Sequence, residues 1–246
     1  MLLFLSLTYL INDRMNKIVL IFLMSMAFNP LFAQLAITGN AVASVQFKDA
    51  NGRILSTGEN SVKGNQYVFE QFGLGKVIMS NGLEAIDSNL NFSLLDHRLY
   101  FLKDNSLYYV NQSYTSFSLI QKDADNAIME KQFNKGYPAI DQYTPSTFYE
   151  VLAKGNNFHF LKYSKAFVKE STPYGSAPIK EYTIDHTFFL YDPAMKQMSL
   201  IGSSLSVKNL KKALPNYATT IDQYVDQFHL NIKKEGDLRM LLEKLQ

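Results

Sequence analysis

The feature that most constrains the fold is an alternation of apolar and polar side chains, repeated in short runs. Residues 89–110 show it most clearly, because Asp96-His97 and Asp104-Asn105 divide them into three runs. Within each run an apolar residue returns at every second position, as Leu99 and Phe101 do. A period of two puts such residues on one face of a β-strand, and short turns join antiparallel neighbours. The stretch therefore predicts an antiparallel three-stranded meander.

The alternation extends from about Val42 to Leu205, and Asn81-Gly82 adds a strong hairpin signal. Residues 123–145 are rich in Asn, Asp, Pro and Gly and are interpreted as a less regular loop region. Since no helical period separates the strands, the pattern predicts a mainly β (α+β) fold. Its antiparallel meander sheets are expected to form a sandwich or a partly open barrel. Further strands are predicted at 42–47, 75–79, 147–153, 158–167, 181–191 and 197–201.

After Ser206 the apolar period becomes that of a helix. Ser206 can cap a short helix over Val207–Leu214, which Pro215 ends. Two more amphipathic faces follow, formed by Tyr217, Ile221, Tyr224, Val225 and Phe228 and, from about Asp237, by Leu238, Leu241, Leu242 and Leu245. The predicted organisation is an N-terminal leader (1–33), a β-rich domain (34–205) and a helical segment (206–246) packed on the sheet.

An export signal is predicted at the N-terminus. Arg14 and Lys17 precede an apolar run at residues 18–28, and Ala33 ends the segment with a small side chain. A signal peptidase reads this order of charge, apolar core and small residue. The apolar run is also shorter than the roughly 20 residues that a membrane-spanning helix needs.

The signal peptide is placed at residues 15–33, with cleavage expected before Gln34. The apolar block at residues 2–11 is separated from it by charges, so Met15 is interpreted as the true start and residues 1–14 as an upstream extension. The protein is expected to be exported, with a periplasmic, outer-membrane-associated or extracellular location. No transmembrane span is predicted in the mature chain.

Cysteine usage and charge exclude several classes of protein. The chain has no cysteine, which rules out disulfides, a thiolate nucleophile and a lipid-modified cysteine. Its formal charge is +2, and removal of residues 1–33, which contain Arg14, Lys17 and Asp13, leaves +1. A nearly neutral surface has no field that would attract nucleic acid.

Several motifs share turn glycines and core apolar residues: Gly64-Asn65-Gln66-Tyr67, Gly75-Lys76-Val77, residues 91–101, Gly136-Tyr137-Pro138, residues 148–152, Leu161-Lys162-Tyr163 and Asp237-Leu238. Together they resemble a pattern in uncharacterised exported β-rich proteins of Bacteroidota, and the resemblance covers most of residues 64–246. It implies envelope localisation and a β-rich fold. Because no activity is established for such proteins, it implies no catalytic residues.

The histidines are weighed as candidate acid–base groups or metal ligands. His97 lies between two strands, where the favoured interpretation is a turn residue in the left-handed conformation. Asp185 and His186 are adjacent in a strand and point to opposite faces, so they cannot form a dyad. His159 and His186 could share a metal or a proton only if their two strands were neighbours.

No familiar catalytic motif is present. The chain lacks a Gly-x-Ser-x-Gly elbow, a His-Glu-x-x-His pair and a phosphate-binding Gly-x-x-x-x-Gly-Lys loop. Asp141, Glu150 and Glu181 could pair for glycoside hydrolysis, although solvated surface charge is the favoured interpretation. No catalytic residue, cofactor or metal ligand is therefore predicted.

Aromatic residues in loops are the better candidates for binding, since loops on a rigid sheet often carry function. The predicted ligand or partner contacts are Tyr137, Tyr143, Tyr174, His159 and His186. The leading hypothesis is a non-enzymatic exported envelope protein that binds or scaffolds another envelope protein or a small ligand. The alternatives are an envelope hydrolase acting on polysaccharide or peptide through loop carboxylates, and a β-barrel carrier of an apolar ligand. Convergence of two carboxylates or two histidines in one cleft would exclude the binding-only hypothesis. A closed surface with one apolar patch near the C-terminal helices would instead favour a partner site.

Overall fold

An antiparallel sheet of eleven strands dominates the structure. A computed structural model describes residues 39–41 and 62–246, apart from 105, 123–125, 173 and 175–176. The strands are β1 (Gly39–Ala41), β2 (Gly73–Met79), β3 (Glu84–Ser93), β4 (Arg98–Lys103), β5 (Ser106–Val110), β6 (Tyr114–Lys122), β7 (Ile128–Asn134), β8 (Tyr149–Lys154), β9 (His159–Ser171), β10 (Ile179–Asp192) and β11 (Gln197–Gly202).

Short connections set the order of the strands. They lie side by side in the order β1-β5-β4-β3-β2-β6-β7-β8-β9-β10-β11, so consecutive strands are neighbours almost throughout. β1 and β11 form the two edges, and the sheet is therefore open. The predicted mainly β fold is confirmed, as is the antiparallel meander of residues 89–110, which forms β3, β4 and β5.

The sheet curls until distant strands touch. The backbone N–H of Ala166 in β9 donates to the carbonyl of Leu94, just after β3, at 2.8 Å. A segment before β2 bridges the remaining gap, since the N–H of Lys63 donates to Lys180 in β10 at 2.8 Å and Val68 donates to β3. Of the two predicted arrangements, this curled, open sheet corresponds to the partly open barrel.

Phenylalanine rings fill the interior of the curled sheet. Phe92, Phe117, Phe133 and Phe148 pack against one another with ring centroids 4.7 to 6.1 Å apart. All four side chains are buried, and burial of this much aromatic surface is a main contribution to stability. This region is a packed core, so it offers no support for an apolar ligand carried inside the curl.

Gly75 lets two strands approach closely in this core. A Cβ atom at this position would lie 2.8 Å from the carbonyl oxygen of Ser118 in β6 and 2.9 Å from a methyl group of Leu90 in β3. Neither distance is sterically tolerable for a carbon atom. The glycine of the Gly75-Lys76-Val77 motif is therefore explained by packing.

A helical segment follows the last strand, as predicted. It consists of α1 (Val207–Ala213), a 3₁₀ turn (Pro215–Tyr217), α2 (Ala218–Phe228) and α3 (Glu235–Lys244). The predicted cap is confirmed, because the Ser206 hydroxyl accepts a hydrogen bond from the backbone of Asn209 at 3.1 Å. None of the helices in the described part of the chain is long and apolar enough to cross a membrane.

The segment from β8 to β10 packs different layers on its two faces. Phe160 and Leu190 face the helices, where they contact a cluster that includes Leu241. Leu161 and Phe189 point to the opposite face, which is covered by tyrosines. This alternation along neighbouring strands creates two chemically distinct surfaces, and the predicted site residues are divided between them.

Three of the described strands were not predicted. β7 lies inside the region interpreted as a loop, and that part of the prediction is wrong. Its central residues Glu130, Lys131 and Gln132 carry no apolar alternation, yet all of β7 is paired with β6. β6 and the short β1 were also not predicted. The strand predicted at 42–47 lies outside the described residues.

Candidate functional site

The predicted contact residues are divided among three places. Tyr137, Tyr143 and His159 come together on the tyrosine-covered face of β8–β10. His186 lies on the opposite, helix-covered side of the same strands. Tyr174 is fully exposed beyond the end of β9, and no aromatic contact among the described residues links it to either group.

The two histidines of β9 and β10 do not meet. The two strands are neighbours, which was the condition for a shared metal or proton, but His159 lies opposite Tyr191 and His186 lies opposite Ser164. The alternation of the strands sends the two imidazoles to different faces. In the described part of the chain no group of three acidic or histidine side chains is arranged to hold a metal ion.

The tyrosine-covered face is a packed aromatic layer with one hydrogen-bonded pair. The Tyr137 hydroxyl lies 3.2 Å from Nδ1 of His159. Burial raises the pKa of Tyr137 to about 12 and lowers the pKa of His159, so both groups are neutral at pH 7. The Tyr143 ring contacts Phe189 with centroids 4.9 Å apart. A shallow groove of about 400 Å³ opens beside Tyr137, His159 and Tyr191.

His97 is a structural residue of the β3–β4 turn. Its φ angle of 57° lies in the left-handed region, which confirms the turn interpretation. The imidazole stacks on the ring of Tyr163 in β9, with centroids 4.9 Å apart, and so helps to join the two halves of the curled sheet. Burial lowers its pKa.

A buried ionic cluster lies on the helix-covered face and was not predicted. It consists of Lys131 in β7, Glu150 in β8, Lys162 in β9 and two residues of α3, Glu235 and Arg239. Glu150 is only 3% exposed and Lys162 only 6%. For Glu150, the predicted role as a solvated surface charge is therefore wrong.

Every cation of the ionic cluster contacts both carboxylates. Glu150 accepts from Lys131 at 3.1 Å, from Lys162 at 2.7 Å and from Arg239 at 2.5 Å. Glu235 binds the same three side chains, with Lys131 and Arg239 each at 3.1 Å. Arg239 also approaches the carbonyl oxygens of residues 151 and 152. The cluster thus fixes α3 to three strands through charge-assisted hydrogen bonds.

The cluster holds Glu235 and Lys162 in their charged forms. Burial by itself would raise the pKa of Glu235, but Lys162 and Lys131 outweigh it and hold that pKa well below its usual range. Burial would likewise lower the pKa of Lys162, yet Glu150 and Glu235 raise it. Lys162 therefore stays an ammonium and Glu235 a carboxylate through neutral pH.

A cleft of about 440 Å³ opens between the helical segment and β8–β10, directly beside the ionic cluster. This helix–sheet cleft falls in the size range of sites for small molecules. Lys162 and Glu235 of the cluster reach its wall, and Ser203 and Ser204 lie exposed at its rim. The remaining lining residues are Leu152, His186, Phe188, Leu205, Ile232, Lys233 and Leu238.

His186 lines the cleft and bonds to the neighbouring strand. Its Nδ1 atom lies 2.8 Å from the hydroxyl of Ser164. Burial lowers the pKa of His186, so the imidazole is neutral at pH 7. Among the described residues no carboxylate hydrogen-bonds to this imidazole, so the pair lacks the third group that orients the base in a hydrolase triad.

The two carboxylates that converge here do not form a hydrolytic pair. A glycosidase needs one carboxyl group with a raised pKa to act as a general acid, whereas the pKa of Glu235 is lowered. Glu150 is saturated by three cations and does not line the cleft. Asp141 and Glu181, the other candidates, are exposed and belong to other parts of the surface.

Comparisons with known proteins add no identity. No family model, no curated protein and no solved structure matches this chain. The helix–sheet cleft and the ionic cluster are therefore interpreted from their own chemistry.

Proposed function

We propose that this protein is an exported, non-enzymatic binding protein whose small-molecule ligand occupies the helix–sheet cleft. The observation that carries the proposal is a cleft of about 440 Å³ with largely apolar walls and a buried ammonium group, Lys162, at its inner end. Binding sites for small molecules commonly combine an apolar lining with a few fixed polar groups. The predicted export signal and the near-neutral charge expected for residues 34–246 support a role in the cell envelope.

Binding is favoured over hydrolysis because of how the charged groups are used. Glu235 is held as a carboxylate by the surrounding cations, so it cannot donate a proton at neutral pH. Glu150 is engaged by three cations and does not line the cleft. A rigid cluster of this kind can position a ligand without changing its own protonation. The ligand can be free or can be a group carried by another envelope component.

The proposal is tested by recovering the ligand. The full chain is expressed with its leader, and the protein is purified from the envelope fraction without detergent and analysed by native mass spectrometry. We expect a discrete adduct of small-molecule mass that is released on denaturation.

The matched variants are Ser204→Trp, which places an indole at the rim of the cleft, and Ser88→Trp, which places one at an exposed position of β3 that does not line the cleft. We expect Ser204→Trp to lose the adduct and Ser88→Trp to keep it. An adduct that persists in the folded Ser204→Trp variant would place the ligand elsewhere and overturn the assignment of the site. Turnover of an envelope polysaccharide or peptide by the wild type would overturn the non-enzymatic proposal.

A further inference from the structure

The charges of the ionic cluster are not balanced, and this bears on the chemistry of the ligand. Three cations, Lys131, Lys162 and Arg239, share two carboxylates, so within the described part of the chain the cluster carries one uncompensated positive charge. Since all three cations already contact both carboxylates, no internal rearrangement can remove the excess. In a partly buried setting such a charge is costly unless an anion is near.

The excess charge faces the helix–sheet cleft through Lys162. An ammonium group has three N–H donors, and Lys162 has two carboxylate partners, Glu150 and Glu235. One donor of this nearly buried side chain therefore remains, and Lys162 lines the cleft. Lys131 and Arg239 do not line it, so Lys162 is the member of the cluster that presents the excess charge to a ligand.

The other titratable groups of the cleft add no negative charge to cancel this excess. His186 is neutral at pH 7 and can donate or accept a hydrogen bond. Lys233 lies exposed at the rim and forms no ion pair with the described residues. Glu235 is already bound to three cations. An anionic group placed beside Lys162 would therefore meet no unpaired carboxylate.

The apolar residues of the cleft determine what kind of group can occupy the part of the cleft beyond Lys162. Phe188, Leu205, Ile232 and Leu238 supply an apolar wall that suits a hydrocarbon or aromatic body. The one buried excess charge, at Lys162, matches a monoanion. A phosphate dianion on Lys162 would overcompensate this buried charge, because Lys233, the other lining cation without a carboxylate partner among the described residues, lies in solvent at the rim.

From these observations we infer that the cleft binds an apolar molecule that carries a single carboxylate, with the carboxylate on Lys162 and the apolar body against Phe188 and Leu205. This inference rests on the proposed function, because it names the ligand class of the same cleft. It goes further because it requires the cleft to bind a carboxylate more tightly than a neutral head group of equal size.

Three probes that share one hydrocarbon chain test the head group: decanoate, decanamide and decylammonium. Isothermal titration calorimetry at pH 7 measures their dissociation constants for the purified, delipidated protein. Decanoate is expected to bind at least about 10-fold more tightly than its neutral isostere decanamide, because a charge-assisted hydrogen bond replaces a neutral one. Decylammonium is expected to bind more weakly than decanamide.

Two lysine variants test the charge count. Lys131→Met removes one cation of the cluster without changing the cleft wall, so the cluster becomes neutral. The ratio of the affinities for decanoate and decanamide should then fall close to one. Decanamide affinity should not change. Lys169→Met, at an exposed position of β9, is the matched control and should leave the ratio as in the wild type. Far-UV circular dichroism and thermal melting confirm that each variant is folded.

The outcomes separate this inference from the proposed function. The carboxylate inference would be overturned if decanamide bound as tightly as decanoate, or if Lys131→Met left the ratio of their affinities unchanged. In either case, a native adduct that still binds in the cleft would sustain the proposed binding function. Absence of binding by all three probes in a protein that yields such an adduct would also overturn it. Decanoate binding that Ser204→Trp does not weaken would show that the probe binds outside the cleft, with the same consequence.

Discussion

Neutralising Glu150 should destabilise the protein strongly. In Glu150→Gln, three cations that lie within 2.5 to 3.1 Å of this carboxylate would be left with Glu235 as their only counter-ion among the described residues. Lys162 is only 6% exposed, so hydration through the cleft can replace the lost partner only in part. Removal of one partner from a buried ion pair costs about 3–5 kcal/mol, and we expect the free energy of unfolding to fall by that amount.

The assay is urea unfolding at pH 7, followed by far-UV circular dichroism, with the m-value compared between variants to show that the transition exposes the same surface. Glu170→Gln is the matched control. Glu170 is 55% exposed and pairs with Lys180 at 3.8 Å, so its loss should cost less than about 1 kcal/mol.

A double variant sharpens the test. Replacing Lys162 by Met in the Glu150→Gln background removes the cation that the first change left underpaired, so part of the lost stability should return. If Glu150→Gln costs no more than Glu170→Gln, or if the second change adds its own full penalty, the ionic cluster does not stabilise the junction of helix and sheet and the reasoning is refuted.

Three further predictions concern pH, packing and export. The pKa of Glu235 is lowered on folding, so the stabilisation that its carboxylate provides is complete above the unfolded pKa of about 4.3 and is lost as the pH falls below it. The difference in melting temperature between wild type and Glu235→Gln should therefore shrink as the pH is lowered from 7 to 3. A constant difference would contradict this. Gly75→Ala should lower the free energy of unfolding by about 1–3 kcal/mol because of the close Ser118 contact, whereas Gly236→Ala, in α3 with open space around it, should raise it by about 0.5–1 kcal/mol; equal effects in urea unfolding would refute the packing argument. N-terminal sequencing of protein recovered from the envelope fraction should begin at Gln34, and a chain that keeps residues 15–33 would exclude cleavage at this position.

Local patterns were sufficient to predict most of the elements. The meander of residues 89–110 and the helix capped by Ser206 are specified by periodicity and turn residues within a few positions. β7 was missed because its residues Ile128 to Gln132 are mostly exposed, so no apolar alternation marks them. β7 is a strand because it pairs with β6 along its whole length. Such pairing depends on residues outside the segment itself, so it cannot be read from the local sequence.

The ionic cluster could not be predicted from spacing, since it joins residues as far apart as Lys131 and Glu235, 104 positions along the chain. A weaker signal was present in the sequence. Glu150 is the only charge in the apolar run 148–153, and Lys162 is the only charge in the run 158–163 apart from His159. A strand that is apolar on both faces is typically buried on both faces. A single charged residue in such a strand is therefore expected to be buried, and two such residues of opposite charge favour an ion pair.

The position of α3 in the chain has a consequence for the order of folding. Arg239 contacts Glu150 across 89 residues, and Leu241 and Leu242 complete a cluster that β8 and β9 begin. If the proposed export occurs N-terminus first, β2–β7 can begin to form the phenylalanine core while α3 is still inside the export channel. Until α3 emerges, Glu150 and Lys162 lie in a half-built layer with exposed apolar neighbours. During such export this half of the molecule would be open to aggregation and to recognition by a chaperone on the far side of the membrane.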